Sequence, residues 1–231
     1  MRILHILDHS VPLHSGYTFR TLEILKQQRA LGWHTMHLTS AKQGIDNRTL
    51  SPDERPIAAS EHIDGWHFFR TDASKRWWAK FPALRQYGVI DGLTTRLYQL
   101  AKMSSPDILH AHSPALNAIA ALRVGRALSI PVVYEIRAFW EDAASDHGSS
   151  REGGLRYRLT RALESYALHR VDAVTTICEG LRTDISARGI PADKITVIPN
   201  AVDINNFSME PPPDQELAHT LVHTLRLAGH P

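Results

Sequence analysis

The sequence predicts an α/β fold, a Rossmann-like, doubly wound sheet of mostly parallel strands. Three observations lead to this prediction. Short, nearly continuous apolar runs alternate along the chain with segments of helical periodicity, as expected for parallel strands that are buried on both faces. Each intervening segment is about long enough for one helix, the usual connection between parallel strands. Polar residues and glycines follow the apolar runs, at the edge where such sheets bind their ligands.

The first strand is predicted over Met1 to Leu7 because this run is nearly all apolar. A helix is predicted from Thr18 to Leu31, ending before Gly32, since glycine readily adopts the left-handed conformation that closes helices. A second strand is predicted around Met36 to Thr39. Asp64-Gly65 lies between two short β-prone runs, the pattern of a two-residue hairpin turn.

A further helix is predicted from Val89 to Met103, and Pro106 marks its end. Ser113 is predicted as the N-cap of the next helix, with Pro114 at its first position. The remaining elements repeat the alternation of strand and helix: strand Asp107 to Ala111, helix Pro114 to Leu128, strand Val132 to Ile136, helix Leu155 to Arg170, strand Ala173 to Thr176, helix Gly180 to Arg188 and strand Ile195 to Ile198. We therefore expect one domain over residues 1–207, followed by a linker with a triple proline in residues 208–231.

The composition excludes several classes of protein. The 231 residues are 43% hydrophobic and 22% charged, which is typical of globular proteins. A formal net charge of +2 indicates no general surface for polyanions, so nucleic acid is not an expected partner. The single cysteine, Cys178, cannot form an intrachain disulfide, and the start of the chain has no secretory signal pattern. We expect a cytoplasmic protein.

The loop after the first strand contains a candidate anion site. Gly16 lies between a strand and a helix, where the backbone can approach a ligand closely and free N–H groups can meet a phosphate. A lone glycine in a turn is also common without any ligand. The dinucleotide fingerprint G-x-G-x-x-G is absent, which argues against a dehydrogenase or epimerase that uses a dinucleotide.

Two histidines lie at the carboxyl end of a predicted strand near the middle of the chain. His110 and His112 are two residues apart, so both side chains lie on one face if the strand continues through them. Their place at the carboxyl end of a strand suggests contacts with a polar ligand. The alternatives are a buried, hydrogen-bonded histidine or a metal site for the pair, and no cysteine or carboxylate spacing supports the metal.

The segment "VVYEIRAFWED" places charged residues and a tryptophan directly after a strand. Arg137 could clamp a phosphate or carboxylate, Trp140 could stack on a sugar ring, and Glu141 or Asp142 could accept a hydroxyl proton. An internal salt bridge with a core tryptophan explains the same residues equally well.

A basic and aromatic segment, "SKRWWAKFPALR", suits the interface of an anionic bilayer. The alternative is a surface helix that packs Trp77 and Trp78 inward. We expect at most a peripheral contact with the inner face of the cytoplasmic membrane, because no stretch approaches the roughly 18 apolar residues of a membrane span.

These patterns together resemble the N-terminal half of a GT-B glycosyltransferase of the large group that includes family 4. The segments that carry the resemblance are "RILHILDHSVPLHSGYTFRT", "PDILHAHSPALNAIAALRV", "VVYEIRAFWED", "VDAVTTICEGLRTDI" and "ITVIPNAVD". The likeness extends from Met1 to Phe207 and is strongest to bacterial glycosyltransferases of exosortase and exopolysaccharide systems. It implies two Rossmann-like domains that face each other across a cleft, with the acceptor bound mainly by the first and a nucleotide-sugar donor by the second.

The resemblance also implies roles for particular residues. It places Ser15 and Gly16 in the loop that approaches the donor diphosphate, with Arg20 as a nearby polar contact. It implies that His112 lies near the transferred sugar, in a catalytic position. Asn200 and Asp203 fall in the hinge. The residues expected to contact a glycan or lipid-linked acceptor, partly from location alone, are His14, Arg137, Trp140, Glu141 and Asp142.

The resemblance further implies metal-independent transfer, generally with retention at the anomeric carbon, and no cofactor beyond the donor substrate. Ser15 and Ala201 depart from the glycines that the family often has at these positions. The donor domain expected after residue 207 is absent from the 231 residues, so we expect this chain to be inactive alone. The alternative function is a non-catalytic module that binds glycans or lipid-linked glycans.

Overall fold

The structure is a computed structural model that describes residues 1–44, 60–72, 77, 81, 84–139 and 154–201. All structural statements below refer to these residues. Several predictions fall outside them: the roles of Trp140, Glu141, Asp142 and Asp203, the packing of Trp78, and the linker over residues 208–231.

The described residues form one eight-stranded sheet in the order β3-β4-β2-β1-β5-β6-β7-β8. Every neighbouring pair is parallel except β3 and β4. The strands are β1 Arg2–Leu7, β2 His34–Thr39, β3 Ser60–Ile63, β4 Trp66–Phe69, β5 Ile108–His112, β6 Val132–Ile136, β7 Ala173–Thr176 and β8 Ile195–Val197. The predicted mostly parallel, doubly wound sheet is confirmed.

The sheet has its topological switch point between β1 and β5. The chain passes from β1 to β2 on one side, then returns to place β5 on the other side of β1. Connections on either side of such a point leave in opposite directions, which opens a crevice beyond the carboxyl ends of the two strands. The residues that follow β1 and β5 therefore line the expected ligand edge.

Five helices connect the strands within the described residues: α1 Gly16–Ala30, α2 Arg85–Ser104, α3 Ala115–Leu128, α4 Leu155–Arg170 and α5 Glu179–Ala187. Short 3-10 helices occur at Ala41–Gly44 and Ala192–Lys194. The predicted bounds agree within two residues except at α2, which starts four residues before the predicted Val89. Its first turn is exposed, so the apolar pattern begins only where the helix meets the core.

The ends of three elements follow from local chemistry. Ser15 caps α1, since its hydroxyl accepts a hydrogen bond from the backbone N–H of Thr18. Gly32, just past the end of α1, has a φ of 77°, which confirms the predicted left-handed closure. The predicted cap of α3 was wrong by one residue: Pro114 has an extended ψ of 174° and is itself the N-cap, without a side-chain hydrogen bond.

The hairpin predicted at Asp64-Gly65 is also present. Asp64 and Gly65 have φ values of 50° and 76°, the two left-handed positions that a two-residue turn matching the twist of a hairpin requires. The turn joins β3 to β4 with Ile63 opposite Trp66. It adds an antiparallel pair to the edge of the parallel sheet.

The main core lies between the sheet and the helices α2 and α3. Residues with no exposed surface come from the central strands and from α2, among them Leu4, Leu93, Leu97 and Leu109. α3 is buried along most of its length, and its many alanines allow it to pack closely. The core thus fixes β1 and β5, the strands on either side of the switch point.

The aromatic segment predicted to contact membranes is described at Trp77 and Phe81. Trp77 is 73% exposed, and its ring lies 6.0 Å from that of Phe81 in an edge contact. Trp77 therefore does not pack inward. Across the part of the chain that is described, we find no helix with both the length and the apolar character that a membrane crossing needs.

Gly125 in α3 is predicted to tolerate no side chain. A Cβ at this position would lie 2.7 Å from the carbonyl oxygen of Ile130 and 2.7 Å from a methyl of Val132. We expect Gly125→Ala to lower the free energy of unfolding by about 1 to 3 kcal/mol, measured by urea denaturation. Gly180→Ala in α5 is the matched control, because its Cβ would meet only Cys178 Sγ at 3.9 Å. Equal stability of the two variants would contradict this packing.

Candidate functional site

The candidate site lies at the carboxyl ends of β5 and β6, next to the N-terminal half of α1. His112 ends β5 and is paired in register with Glu135 of β6. Arg137 follows β6 directly, and Arg20 lies on α1. The side chains of Arg20, His112 and Arg137 converge on the Glu135 carboxylate.

Glu135 is the centre of this cluster. Its side chain is buried, and its Oε1 accepts a hydrogen bond from Arg20 Nε at 2.8 Å. Its Oε2 lies 3.1 Å from Arg137 Nη2 and 2.7 Å from His112 Nδ1. Burial acts to raise the pKa of Glu135, but His112 and Arg137 outweigh it and hold the pKa well below its usual range. The carboxylate is therefore ionised at neutral pH.

His112 has no exposed surface, and both of its ring nitrogens have partners. Its Nδ1 lies 2.7 Å from Glu135 Oε2, which can only accept, and 2.7 Å from Arg137 Nη2, which can only donate, so Nδ1 either donates to the carboxylate or accepts from the guanidinium. Its Nε2 lies 2.9 Å from His5 Nδ1. Burial lowers the pKa of His112 below its usual value, although Glu135 opposes the shift, so the ring is neutral at pH 7.

The two arginines connect the cluster to its surroundings. Arg137 donates to the carbonyl of Tyr17 at 2.7 Å and to the hydroxyl of Thr21 at 3.0 Å, both on α1. Its guanidinium also stacks on the Tyr17 ring, 4.2 Å from the centroid. These contacts tie α1 to the end of β6.

Arg20 contacts the segment that follows β8. It donates to the carbonyls of Ile198 at 2.8 Å and Pro199 at 3.0 Å, and to the side-chain oxygen of Asn200 at 3.0 Å. Together with its bond to Glu135, these contacts engage all three nitrogens of the guanidinium. Arg20 thus links the buried carboxylate to the predicted hinge.

A row of histidines crosses the sheet beside this cluster. His5 on β1 is in register with His37 on β2 and with His110 on β5. Burial lowers the pKa of all three, for His37 to about 4 and for His110 to about 3. The row is therefore neutral at pH 7. His5 Nε2 lies 2.9 Å from Gln28 Oε1, which joins the row to α1.

The loop after β1 is held in place by buried hydrogen bonds. The backbone N–H of Asp8 donates to the hydroxyl of Tyr17 at 3.0 Å. Arg70, itself buried, donates to the hydroxyl of Ser10 at 2.5 Å and to the carbonyl of Val11 at 2.7 Å. The loop is thus anchored to both α1 and the end of β4.

Ser15 and Gly16 lie where this loop enters α1. The Ser15 hydroxyl caps the helix and also lies 2.9 Å from His9 Nε2. The space beside Gly16 is open, since a Cβ built there would meet nothing within 4 Å. The N-terminus of this 15-residue helix carries a partial positive charge, so an anion can approach Gly16 without obstruction.

The structure brings together some of the predicted site residues and leaves others apart. Arg20, His112, Arg137 and Asn200 belong to one network, and Ser15 and Gly16 form the start of α1. His14 is exposed and stacks on Phe19, with ring centroids 5.8 Å apart. His110 and His112 do share one face, as predicted, with ring centroids 4.4 Å apart. The proposed roles of these residues stay predictions.

Three residues of the network were missed by reasoning from sequence: Glu135 as its centre, His5 and Tyr17. The alternation of Glu135 and Arg137 at positions i and i+2 was a usable signal, because both side chains then lie on one face. His5 had no such signal, since it lies inside the apolar run of β1. Its partners are set by the register with β5, which local pattern does not encode.

This chain matches a known protein family. A family model described as "Glycosyl transferase 4-like domain" matches residues 15–201. A comparison with curated proteins finds no match. The matched range contains Gly16, Arg20, His112, Glu135 and Arg137.

Solved structures share the fold at low identity. Sucrose-phosphate synthase from Thermosynechococcus elongatus has a TM-score of 0.63 and 12% identity, over 92% of this chain and 53% of that chain. HepE from Anabaena, in complex with UDP, has a TM-score of 0.60 and 15% identity, over 96% of this chain and 50% of that chain. The UDP-GlcNAc 2-epimerase from Neisseria meningitidis, bound to UDP-GlcNAc, has a TM-score of 0.54 and 14% identity, over 98% of this chain and 54% of that chain. This chain spans about half the length of these structures, and its fold is the Rossmann-like half of a GT-B fold.

The Glu135 cluster yields a prediction about stability. Glu135→Gln removes the charge that compensates two buried guanidiniums, so we expect a loss of about 3 to 5 kcal/mol in the free energy of unfolding, measured in urea. Glu179→Gln is the control, since Glu179 is exposed and pairs with Arg182 at 3.5 Å. That change should cost less than about 1 kcal/mol. A Glu135→Gln variant as stable as the control would contradict the central role of Glu135.

His37 yields a prediction about pH. With a pKa of about 4 in the folded state and about 6.5 when unfolded, His37 binds a proton only in the unfolded chain between these values. Stability is therefore lost as the pH falls from 7 toward 4. In His37→Asn this dependence should be smaller by about 1 kcal/mol per pH unit, measured as the free energy of unfolding at pH 6 and 5.

The control for this experiment is Phe68→Leu, which alters a buried ring 5.2 Å from His37 without removing a titrating group. It should lower stability about equally at both pH values. A pH dependence in His37→Asn that matches the wild type would show that His37 is not held neutral.

Proposed function

The chain belongs to the glycosyl transferase 4-like domain family, and we propose that it is the acceptor-side half of an enzyme that transfers a sugar from a nucleotide-sugar donor to a glycan or lipid-linked acceptor. The observation that carries this proposal is the Glu135 network at the carboxyl ends of β5 and β6, beside the open N-terminus of α1. Both lie within the matched residues. We further propose a role in bacterial envelope or exopolysaccharide synthesis, at the inner face of the cytoplasmic membrane.

The donor diphosphate is proposed to approach the start of α1. Gly16 leaves room for an anion there, and the helix N-terminus favours negative charge. UDP or a UDP-sugar is bound in the HepE and epimerase structures, which supports a nucleotide sugar as the partner. Because this chain spans about half the length of those structures, the rest of the donor site is proposed to come from a second domain.

The network supports positioning and electrostatic stabilisation as the means of catalysis. Departure of the nucleotide diphosphate concentrates negative charge, which the N–H groups at Gly16 and the cations of a second domain would stabilise without reorganisation. No cofactor is needed for such a transfer. We propose transfer with retention at the anomeric carbon, as the family resemblance implies.

His112 is proposed to act by positioning. Its side chain is fully buried and both ring nitrogens are engaged, so it is poorly placed to carry a proton to or from a sugar. It holds Glu135 and, through it, the arginine that ties α1 to β6. Residues on the nearby surface, such as His14, would then contact the acceptor. The segment after Phe139, with the predicted acceptor contacts Trp140, Glu141 and Asp142, lies outside the described residues.

The proposal is tested with the full-length product of the gene that contains this chain. The purified protein is incubated with a panel of nucleotide sugars and a lipid-linked glycan extract, and released nucleoside diphosphate is measured. Acceptor-dependent release supports the proposal. Binding of glycans without release from any donor would contradict it and would favour a non-catalytic glycan-binding module.

Gly16→Val separates donor binding from folding. The added side chain points into open space, so the free energy of unfolding should stay within about 0.5 kcal/mol of the wild type. It narrows the approach of the diphosphate, so KM for the nucleotide sugar should rise at least about tenfold. Gly180→Ala, on α5, should change neither value. An unchanged KM in Gly16→Val would show that the donor diphosphate does not bind at this loop.

A further inference from the structure

Three histidines form a compact group beside Glu135, and the proposed sugar transfer uses only one of them, His112. His5 is on β1, and His110 and His112 are on β5, the next strand of the sheet. Each offers one ring nitrogen, and the three nitrogens lie within 4.8 Å of one another. The spacing of two on β5 places His110 and His112 on one face, and the register places His5 opposite His110.

Hydrogen bonds at the two ends of this group orient the rings of His5 and His112. Nδ1 of His112 lies 2.7 Å from the Glu135 carboxylate, which can only accept, and also 2.7 Å from Arg137 Nη2, which can only donate. Nε2 of His5 lies 2.9 Å from Gln28 Oε1, also an acceptor. The N–H of His5 therefore points outward, toward Gln28. The N–H of His112 points outward to Glu135 when Nδ1 carries the proton, and inward from Nε2 when Nδ1 accepts from Arg137.

The outward tautomer of His112 leaves two lone pairs facing each other. Nδ1 of His5 and Nε2 of His112 lie 2.9 Å apart, and neither carries a proton when both N–H groups point outward. Such a contact is repulsive unless a cation lies between the two nitrogens, whereas in the inward tautomer the Nε2–H of His112 donates to His5 Nδ1 and a metal ion would take the place of that proton. The third nitrogen of the group is unused as well, since Nε2 of His110 is buried without a hydrogen-bond partner among the described residues.

We propose that His5, His110 and His112 bind a divalent metal ion of the Zn²⁺ type. Three imidazole nitrogens with one open position is a known ligand set for Zn²⁺. The hydrogen bonds to Glu135 and Gln28 are the outer contacts that metal-binding histidines usually make through their second nitrogen. His110 keeps 12% of its side chain exposed, so it is the least buried of the three ligands.

The sequence alone disfavoured this site because no cysteine or carboxylate spacing near His110 and His112 supports a metal. The structure supplies a third ligand, His5, over 100 residues away in the sequence. The nearby charges have opposing effects on cation binding. Glu135 favours a cation, whereas Arg20 and Arg137, which form ion pairs with Glu135, oppose it. We therefore expect weaker binding than in a closed structural zinc site. The site shares His112 with the proposed transfer machinery, but metal binding is measured in this chain without any assay of sugar transfer.

Metal binding is measured on the untagged chain after treatment with EDTA, because the sequence contains 14 histidines and a histidine tag would add more. Isothermal titration with ZnCl₂ at pH 7.5 should show one site per chain. His110→Ala should weaken that site at least about tenfold, and so should Gln28→Leu, which removes an outer contact. The matched control is His62→Ala, in the stacked pair His62–His67 on the β3–β4 hairpin, and it should leave the site unchanged.

Co²⁺ provides a second readout that does not depend on any variant. In the wild type it should give the intense visible absorption of a tetrahedral site rich in nitrogen ligands. Zn²⁺ should also raise the melting temperature of the wild type but not of His110→Ala. The proposal is overturned if no stoichiometric site is found, if His62→Ala removes the site, or if His110→Ala and Gln28→Leu both bind as the wild type does. In the last case a proton, or a reversed Gln28 amide, fills the gap between His5 and His112.

Discussion

The arrangement of the ligand edge depends on the burial of a single charge, the carboxylate of Glu135. An ionised carboxylate away from water is costly unless other groups compensate it. Here Arg20, Arg137 and His112 do so, and they come from α1, from the residue after β6 and from the end of β5. Because each partner has little freedom to move without leaving the charge unpaired, Glu135 fixes the relative placement of all three elements. Arg20 extends this constraint to Pro199 and Asn200 at the predicted hinge.

The same constraint couples the two parts of the proposed active site. α1 begins at Gly16, where an anion can approach, and carries Arg20 one turn later, in contact with Glu135. Arg137 also holds the helix, through hydrogen bonds to the carbonyl of Tyr17 and the hydroxyl of Thr21. A donor diphosphate bound at the start of α1 would therefore be held rigidly with respect to the ends of β5 and β6, as catalysis by positioning requires.

Most of the fold could be predicted from sequence because its signals are local. The apolar run of β6 and the helix α4 were predicted with their observed bounds, and Asp64-Gly65 alone indicated the hairpin. α2 begins earlier than predicted because its first turn carries no apolar residue on the core side. The site was predicted less completely. Glu135 and Arg20 are 115 residues apart, and His5 and His112 are 107 apart, so their contacts depend on strand order and register, which no local pattern contains.

The central claim is that Glu135 stays ionised although it is buried, and a pH titration followed by NMR tests it most directly. The side-chain carboxyl carbon of Glu135, labelled with ¹³C and assigned through a Glu135→Gln spectrum, reports its own protonation. Its chemical shift should remain that of a carboxylate from pH 7 down to below the usual range for glutamate, until the chain unfolds. A titration at or above the usual glutamate pKa in the folded protein would show that His112 and the arginines do not compensate the charge, and the account of this site would fail.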